Sequence, residues 1–176
     1  MKNSWKNKPG RNIPGTINSG VITLIMATLA FTATPPSEAT IIINEIDYDQ
    51  PSADTSEFIE LFNTSTSDLS LDGYYIDLIN GSNNTTYRSI NLTGFDITSE
   101  SYFVICNDTS LTLNCNYDFT TSTSWFQNGA PDAIALFNST GLIDSLSYEG
   151  VVPTFTEGSE LLVADNNSET VSISRL

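Results

Sequence analysis

Short segments in which apolar and polar residues alternate run through most of the chain. In EFIELFN, residues 57–63, Ile59 and Leu61 share one side of an extended backbone and Glu60 lies on the other side. The same alternation recurs in YYIDLIN, residues 74–80. Because successive side chains of a strand point to opposite faces, this period of two predicts half-buried β-strands.

Segments rich in Gly, Asn, Ser and Thr separate these strands, and Asp72-Gly73 is a strong turn signal. Residues 64–73 are predicted as a connection, and residues 107–131 form the longest weakly patterned stretch. The predicted strands are 40–47, 57–63, 74–80, 86–92, 101–106, 132–137, 142–148, 160–165 and 169–174. Many short strands at this spacing, without a helical period, predict an all-β sandwich or small barrel.

The N-terminal segment has a different pattern. Lys2, Lys6, Lys8 and Arg11 precede an uncharged apolar run at residues 20–33. This run is shorter than the roughly 20 residues that span a bilayer, and a small-residue SEA site follows it. We therefore expect a signal peptide over residues 1–39, cleaved between Ala39 and Thr40, with one domain over 40–176. An uncleaved membrane anchor is the alternative.

The charge balance changes when residues 1–39 are set apart. The whole chain has 21 acidic and 6 basic residues, and the leader holds four of the bases and one acid. Residues 40–176 therefore keep 20 acidic residues against Arg88 and Arg175, a net charge of −18. Because binding to DNA, RNA or anionic lipid depends on Lys and Arg, we expect no nucleic-acid partner for this domain alone.

Cys106 and Cys115 are the two cysteines of the chain. Both lie in the part expected to be exported, where an oxidising compartment favours a disulfide over two free thiols. Two cysteines without histidine cannot complete a structural zinc site. We therefore predict a disulfide that closes a short loop.

Five segments follow one another in an order that resembles a known family. They are Asn44-Glu45, Glu57 to Asn63, Leu71 to Ile76, Gly129 to Leu136 and Asn138 to Asp144. Together they resemble the lamin tail domain, in the version found in secreted bacterial proteins, over almost all of residues 40–176. The resemblance implies an immunoglobulin-like β-sandwich that is not an enzyme and serves binding or attachment. The nuclear members of the family have basic surfaces suited to chromatin, whereas residues 40–176 of this chain contain only two cations. The chromatin role is therefore not expected here.

The chain contains no histidine, which removes Ser-His-Asp, Cys-His and His-metal sites. A pair of carboxylates of the glycosidase type stays open on acid counts alone. Since nothing in the sequence indicates a shaped cleft, we expect no catalytic residues and no cofactor.

An acidic loop is the candidate metal site. Asp47, Asp49, Asp54 and Glu57 lie close together in the sequence, and Ca²⁺ prefers several oxygen ligands from a flexible loop. The loop lacks the fixed spacing and glycine of an EF-hand. A solvated acidic loop without calcium is the preferred interpretation.

Trp125 and Phe126 are the candidate aromatic anchors, in the weakly patterned stretch. They could form a binding tip for sugar or protein, but such a pair more often covers one end of a core. The chain also carries several Asn-x-Ser/Thr sequences, including those at Asn63, Asn91 and Asn138, which its composition explains.

The expected function is that of an exported, non-catalytic module that binds or attaches to a protein or cell-surface ligand. The expected location is secreted, periplasmic or extracellular, with no membrane span after cleavage. One alternative is the N-terminal accessory domain of a longer extracellular nuclease or phosphatase-type hydrolase. Another alternative is a calcium-stabilised adhesion domain.

Overall fold

β-Strands are the regular elements of the computed structural model, which describes residues 40–119, 125–157 and 171–175. These residues belong to one unit, Ser37–Leu176. The strands are β1 (Ile41–Asp47), β2 (Phe58–Asn63), β3 (Leu69–Ser70), β4 (Tyr75–Asn80), β5 (Thr85–Asn91), β6 (Asp96–Ile97), β7 (Tyr102–Cys106), β8 (Cys115–Asp118), β9 (Asp132–Asn138), β10 (Gly141–Tyr148) and β11 (Ile173–Ser174). The signal peptide predicted over 1–39, and hence the Ala39 side of its cleavage site, lies outside the described residues, as does the strand predicted over 160–165.

Two sheets form the layers of the fold. The larger has the strand order β11-β1-β2-β7-β8, and the smaller has the order β10-β9-β4-β5. Ile43 and Ile59 of the first sheet and Ile76 and Ile134 of the second are fully buried in one hydrophobic cluster. The predicted immunoglobulin-like β-sandwich is therefore confirmed. No helix within the described residues is long and apolar enough to cross a membrane.

The alternation in the sequence identifies the buried faces correctly. In β2, Ile59 and Leu61 are fully buried, and Glu60 between them is partly exposed on the outer face. In β4, Ile76 and Leu78 are fully buried, whereas Tyr75 is 37% exposed. Burial of the apolar side chains from both sheets is the main stabilising contribution to the sandwich.

The structure contains short strands that the sequence did not predict. The segment 64–73 is not only a connection, because Leu69–Ser70 pairs with Asp96–Ile97 to form a two-stranded ribbon. The stretch 107–131 contains β8, which pairs in parallel with β7. Such short strands have too little sequence for a visible period, and distant partners provide their hydrogen bonds.

Arg175 joins the two sheets where β1 and β10 meet. Its Nη2 lies 2.8 Å from Oδ1 of Asp144 on β10, and its Nε donates to the carbonyl of Ile43 on β1 at 2.7 Å. Asp144 also accepts a hydrogen bond from the backbone N–H of Ile43 at 2.6 Å. One arginine thus pairs with a buried carboxylate and connects strands of both layers.

The outer faces of the two sheets differ in what covers them. On the four-stranded sheet, Ile79, Ala133 and Ala135 are buried beneath Val152, with Phe137 and Phe155 packed against the same cluster. The corresponding face of the five-stranded sheet carries a groove instead. The candidate site is therefore on the five-stranded sheet.

Candidate binding groove

The groove lies on the outer face of the five-stranded sheet and has a volume of about 360 Å³. Strands β1, β2 and β7 form its floor, and part of the β7–β8 loop forms a wall. Three carboxylates, four apolar side chains and three polar side chains line it: Glu45, Asp47 and Glu60, then Phe58, Val104, Leu111 and Leu113, then Ser56, Thr112 and Asn114. The combination of acidic and apolar side chains makes this surface a candidate for binding.

A β-bulge in β1 directs Glu45 into the groove. The pairing with β2 runs from Ile43 opposite Leu61 to Glu45 opposite Glu60, so Asn44 is the extra residue. An extra residue shifts the inward and outward alternation of the strand after it. Glu45 therefore lies on the outer face, although the alternation of the preceding residues would place that position inside.

The bulge brings two glutamates side by side. Glu45 is directly opposite Glu60, and like charges in such cross-strand pairs are destabilising. Burial raises the pKa of Glu60, and the charge of Glu45 adds to this rise, whereas a hydrogen bond from Nδ2 of Asn44 at 2.8 Å opposes it. Ser172 donates a hydrogen bond to Glu45. The protein thus retains a costly pair of carboxylates on the groove floor.

The apolar wall is held by a disulfide. Cys106 and Cys115 form the predicted bond, with their Cα atoms 5.8 Å apart. Thr112 of the enclosed loop donates to the carbonyl of Ser56 at 3.3 Å. These contacts fix the loop beside β2 while Leu113 stays 87% exposed.

Both arginines of the described residues are engaged away from the groove. Arg175 pairs with Asp144 and with Glu157, whose Oε2 lies 2.7 Å from Nη1. The guanidinium carbon of Arg88 lies 5.9 Å from the ring centroid of Phe119, within the range of a cation–π contact. Neither arginine is among the groove residues, so neither neutralises its carboxylates.

Two of the four calcium candidates, Asp49 and Asp54, share one hydrogen-bond partner, whereas Asp47 and Glu57 make other contacts. Nδ2 of Asn128 donates to Asp49 at 3.2 Å and to Asp54 at 3.1 Å. Glu57 is buried and faces the backbone of residues 125–126, whereas Asp47 lines the groove. Among the residues that the structure describes, no group of three or more Asp, Glu, His or Cys is arranged to hold a metal ion. Calcium binding by this loop stays the less favoured alternative of the sequence prediction.

Trp125 and Phe126 are buried, so the core role is confirmed and the binding-tip alternative is wrong. Their backbone N–H groups donate to the Glu57 carboxylate at 2.9 and 3.4 Å. Burial, together with the nearby charges of Asp54 and Asp47, raises the pKa of Glu57 to about 8. Glu57 is therefore an internal anchor for residues 125–126.

A family model described as Lamin Tail Domain matches residues 34–150, more than half of the chain. The chain belongs to the lamin tail domain family. This is a family of non-catalytic, immunoglobulin-like domains, in agreement with the sandwich of the described residues. No curated protein matches the chain.

The groove of this lamin tail domain is the feature that sequence reasoning missed. Glu45 and Glu60 both belong to segments that carry the family resemblance, but their juxtaposition depends on the bulge. Leu111 and Leu113 lie in the stretch read as weakly patterned. Their place in a short loop closed by two cysteines was the available signal, since connecting loops run over the protein surface.

Proposed function

We propose that this lamin tail domain is an exported, non-catalytic module that attaches to a protein partner outside the cytoplasm. The observation that carries the proposal is the open groove, in which exposed leucines border carboxylates that neither arginine of the described residues neutralises. Exposed apolar side chains rimmed by polar groups are typical of interaction surfaces. The disulfide suits an oxidising compartment, and the basic and apolar pattern of residues 1–39 suits export.

Export is tested by producing the full chain in a secreting host and sequencing the N-terminus of the released protein. Thr40 is the expected first residue. Protein that stays in the membrane fraction with residues 1–39 attached would contradict export.

Attachment is tested with the released protein, labelled with a fluorophore and added to the producing cells. We expect saturable binding that excess unlabelled protein competes away and that protease treatment of the cell surface removes. Linear binding without competition would contradict the module role. A phosphodiester or phosphomonoester hydrolysis assay on the same protein checks the non-catalytic part, and turnover above that of a heat-denatured sample would contradict it.

A further inference from the structure

We propose that the groove binds an extended, basic segment of the partner protein, with one Lys or Arg side chain between Glu45 and Glu60 and a neighbouring apolar side chain against Leu111 and Leu113. This inference rests on the proposed binding role and names the chemistry of the partner.

The first step is the charge of the floor. Glu45 and Glu60 face each other across β1 and β2, and both arginines of the described residues are engaged elsewhere. A cation placed between two such carboxylates replaces their repulsion by two charge-assisted hydrogen bonds. A positively charged side chain is therefore the complementary occupant, and an anionic segment is excluded.

The second step is the wall. Leu111 is 55% exposed and Leu113 is 87% exposed, although the disulfide and Thr112 hold their loop against β2. Because the loop is tethered, the leucines cannot easily turn inward to escape water. Their exposure costs free energy that an apolar side chain of a partner recovers on binding. A purely polar polycation would leave Leu111 and Leu113 exposed to water.

The third step is size and shape. A volume of about 360 Å³ lies near the lower end of the range of about 300–1,000 Å³ for ligand clefts, which is room for a few side chains. The floor is the surface of a sheet whose strands are roughly 4.8 Å apart. An extended segment presents alternate side chains to such a surface. The occupant is therefore a short stretch of chain with Lys or Arg and an apolar residue two positions apart.

The probe is an acetylated, amidated pentapeptide, Lys-Ser-Leu-Ser-Lys, which puts both lysines and the leucine on one face when extended. Its binding to the full chain is measured by isothermal titration calorimetry at low salt. Two control peptides replace Leu by Ser, or both Lys residues by Glu. We expect each control peptide to bind at least about tenfold more weakly, the factor that one good contact contributes.

Two groove variants test the location. Glu45→Gln with Glu60→Gln removes the charge at constant shape, and Leu113→Ser changes an exposed side chain that the fold does not need. We expect each variant to bind Lys-Ser-Leu-Ser-Lys at least about tenfold more weakly than the parent protein. Asp96→Asn with Glu100→Gln is the matched control, because both residues are exposed and lie outside the groove. The two substitutions remove the same amount of charge as the groove variant does. We expect this control to keep the affinity within about twofold.

Three results would overturn the inference. Equal weakening by the control variant would mean general attraction to an acidic protein. Equal affinity for the peptide without leucine would mean that the wall takes no part. Binding to residues 40–176 but not to the full chain would make the chain's own basic N-terminal segment the occupant.

The cell-attachment assay separates this inference from the proposed function. If the groove variants attach as well as the parent protein, the groove is not the attachment surface and the inference fails while the module role holds. If the parent protein does not attach but binds the pentapeptide through the groove, the module role fails and the groove assignment holds. Loss of attachment in the groove variants, and not in the Asp96 and Glu100 variant, supports both.

Discussion

Among the residues that the structure describes, four asparagine side chains stabilise turns in the same way. In each, Oδ1 accepts hydrogen bonds from both the backbone N–H and the side-chain hydroxyl of the Ser or Thr two residues later; the pairs are Asn63 with Ser65, Asn80 with Ser82, Asn83 with Thr85, and Asn138 with Thr140. These are Asx-turns in which the hydroxyl adds a second donor. These four Asn-x-Ser/Thr sequences are therefore more than a consequence of composition, because they stabilise turns.

Asn138 offers a test of this device between β9 and β10. Its Oδ1 accepts from the N–H of Thr140 at 2.8 Å and from the hydroxyl at 2.7 Å. We expect Asn138→Ala to lower the free energy of unfolding by about 1 kcal/mol, and Asn138→Asp to keep most of the stability because the acceptor remains. Urea unfolding of the three proteins checks this. If Asn138→Asp lowers the free energy of unfolding as much as Asn138→Ala does, the turn does not depend on the accepting oxygen.

The ionisation of Glu57 is expected to make the free energy of unfolding depend on pH. Its pKa rises from 4.5 to about 8 in the folded protein, mainly because of burial. Between these values the folded state keeps a proton that the unfolded state releases, so the free energy of unfolding falls as pH rises from about 4.5 to about 8. Burial also raises the pKa of Asp132, to about 6, and contributes in the same direction over a lower range.

Glu57→Gln checks this prediction, because glutamine keeps an accepting oxygen and does not ionise. We expect the variant to melt at a higher temperature than the parent protein at pH 8, and its melting temperature to vary less between pH 5 and 8. Asp96→Asn, at an exposed position, is the control and should leave the pH dependence unchanged. Parallel pH profiles for parent and Glu57→Gln would show that Glu57 does not hold the proton.

At the scale of elements, the Cys106–Cys115 disulfide stabilises the end of β7 and the start of β8. The chain-entropy relation gives about 2.5–3 kcal/mol for a loop this short. We expect Cys106→Ala with Cys115→Ala to lose stability of this order and also to weaken binding of the Lys-Ser-Leu-Ser-Lys peptide. Urea unfolding and calorimetry check the two effects. Unchanged peptide affinity in the folded variant would show that the disulfide is not needed to hold the groove wall in place.

Gly81 is required where the β4–β5 turn meets the segment before β9. A Cβ atom at this position would lie 2.3 Å from the carbonyl oxygen of Pro131 and 2.6 Å from Cγ2 of Val152. The N–H of Gly81 also donates to the same carbonyl at 3.0 Å, so the two segments cannot separate without losing a hydrogen bond. We expect Gly81→Ala to cost about 1–3 kcal/mol in urea unfolding.

Gly129→Ala is the matched control for Gly81→Ala. A Cβ atom at Gly129 would meet nothing within 4 Å, so this variant should stay within about 0.5 kcal/mol of the parent protein. Equal losses in the two variants would mean that the close approach to Pro131 is not the cause.

For the whole molecule, the net charge of −18 on residues 40–176 should make stability depend on salt. Repulsion among the carboxylates destabilises the compact state, and salt at about 0.1 M screens charges beyond roughly 10 Å. The pair of Arg175 with buried Asp144 is screened less than exposed pairs. We therefore expect the melting temperature to rise by a few degrees between about 0.01 and 0.2 M NaCl.

Differential scanning calorimetry at neutral pH checks the salt prediction. The Glu45→Gln and Glu60→Gln variant should respond less, because one pair of like charges that face each other across two strands is gone. A melting temperature that falls with added salt would show that favourable ion pairs outweigh the repulsion.

Much of the fold could be predicted from the sequence, because alternation is a local property. Ile59 and Leu61, and Ile76 and Leu78, lie on the buried faces that their period of two indicates. The disulfide also followed from two cysteines in the part of the chain expected to be exported to an oxidising compartment. The two-residue strand Leu69–Ser70 could not be predicted, because it is held by a partner far along the chain.

The sequence by itself determined the longer strands, the all-β class, the charge and the resemblance to the lamin tail domain that implied the sandwich, since each depends on residue type and order along the chain. Only the tertiary structure decided which residues form the candidate binding groove. The bulge at Asn44 turns Glu45 outward beside Glu60, and the disulfide holds Leu113 next to them. A groove is made by residues from separate strands, so its composition depends on register and bulges, which local patterns do not encode.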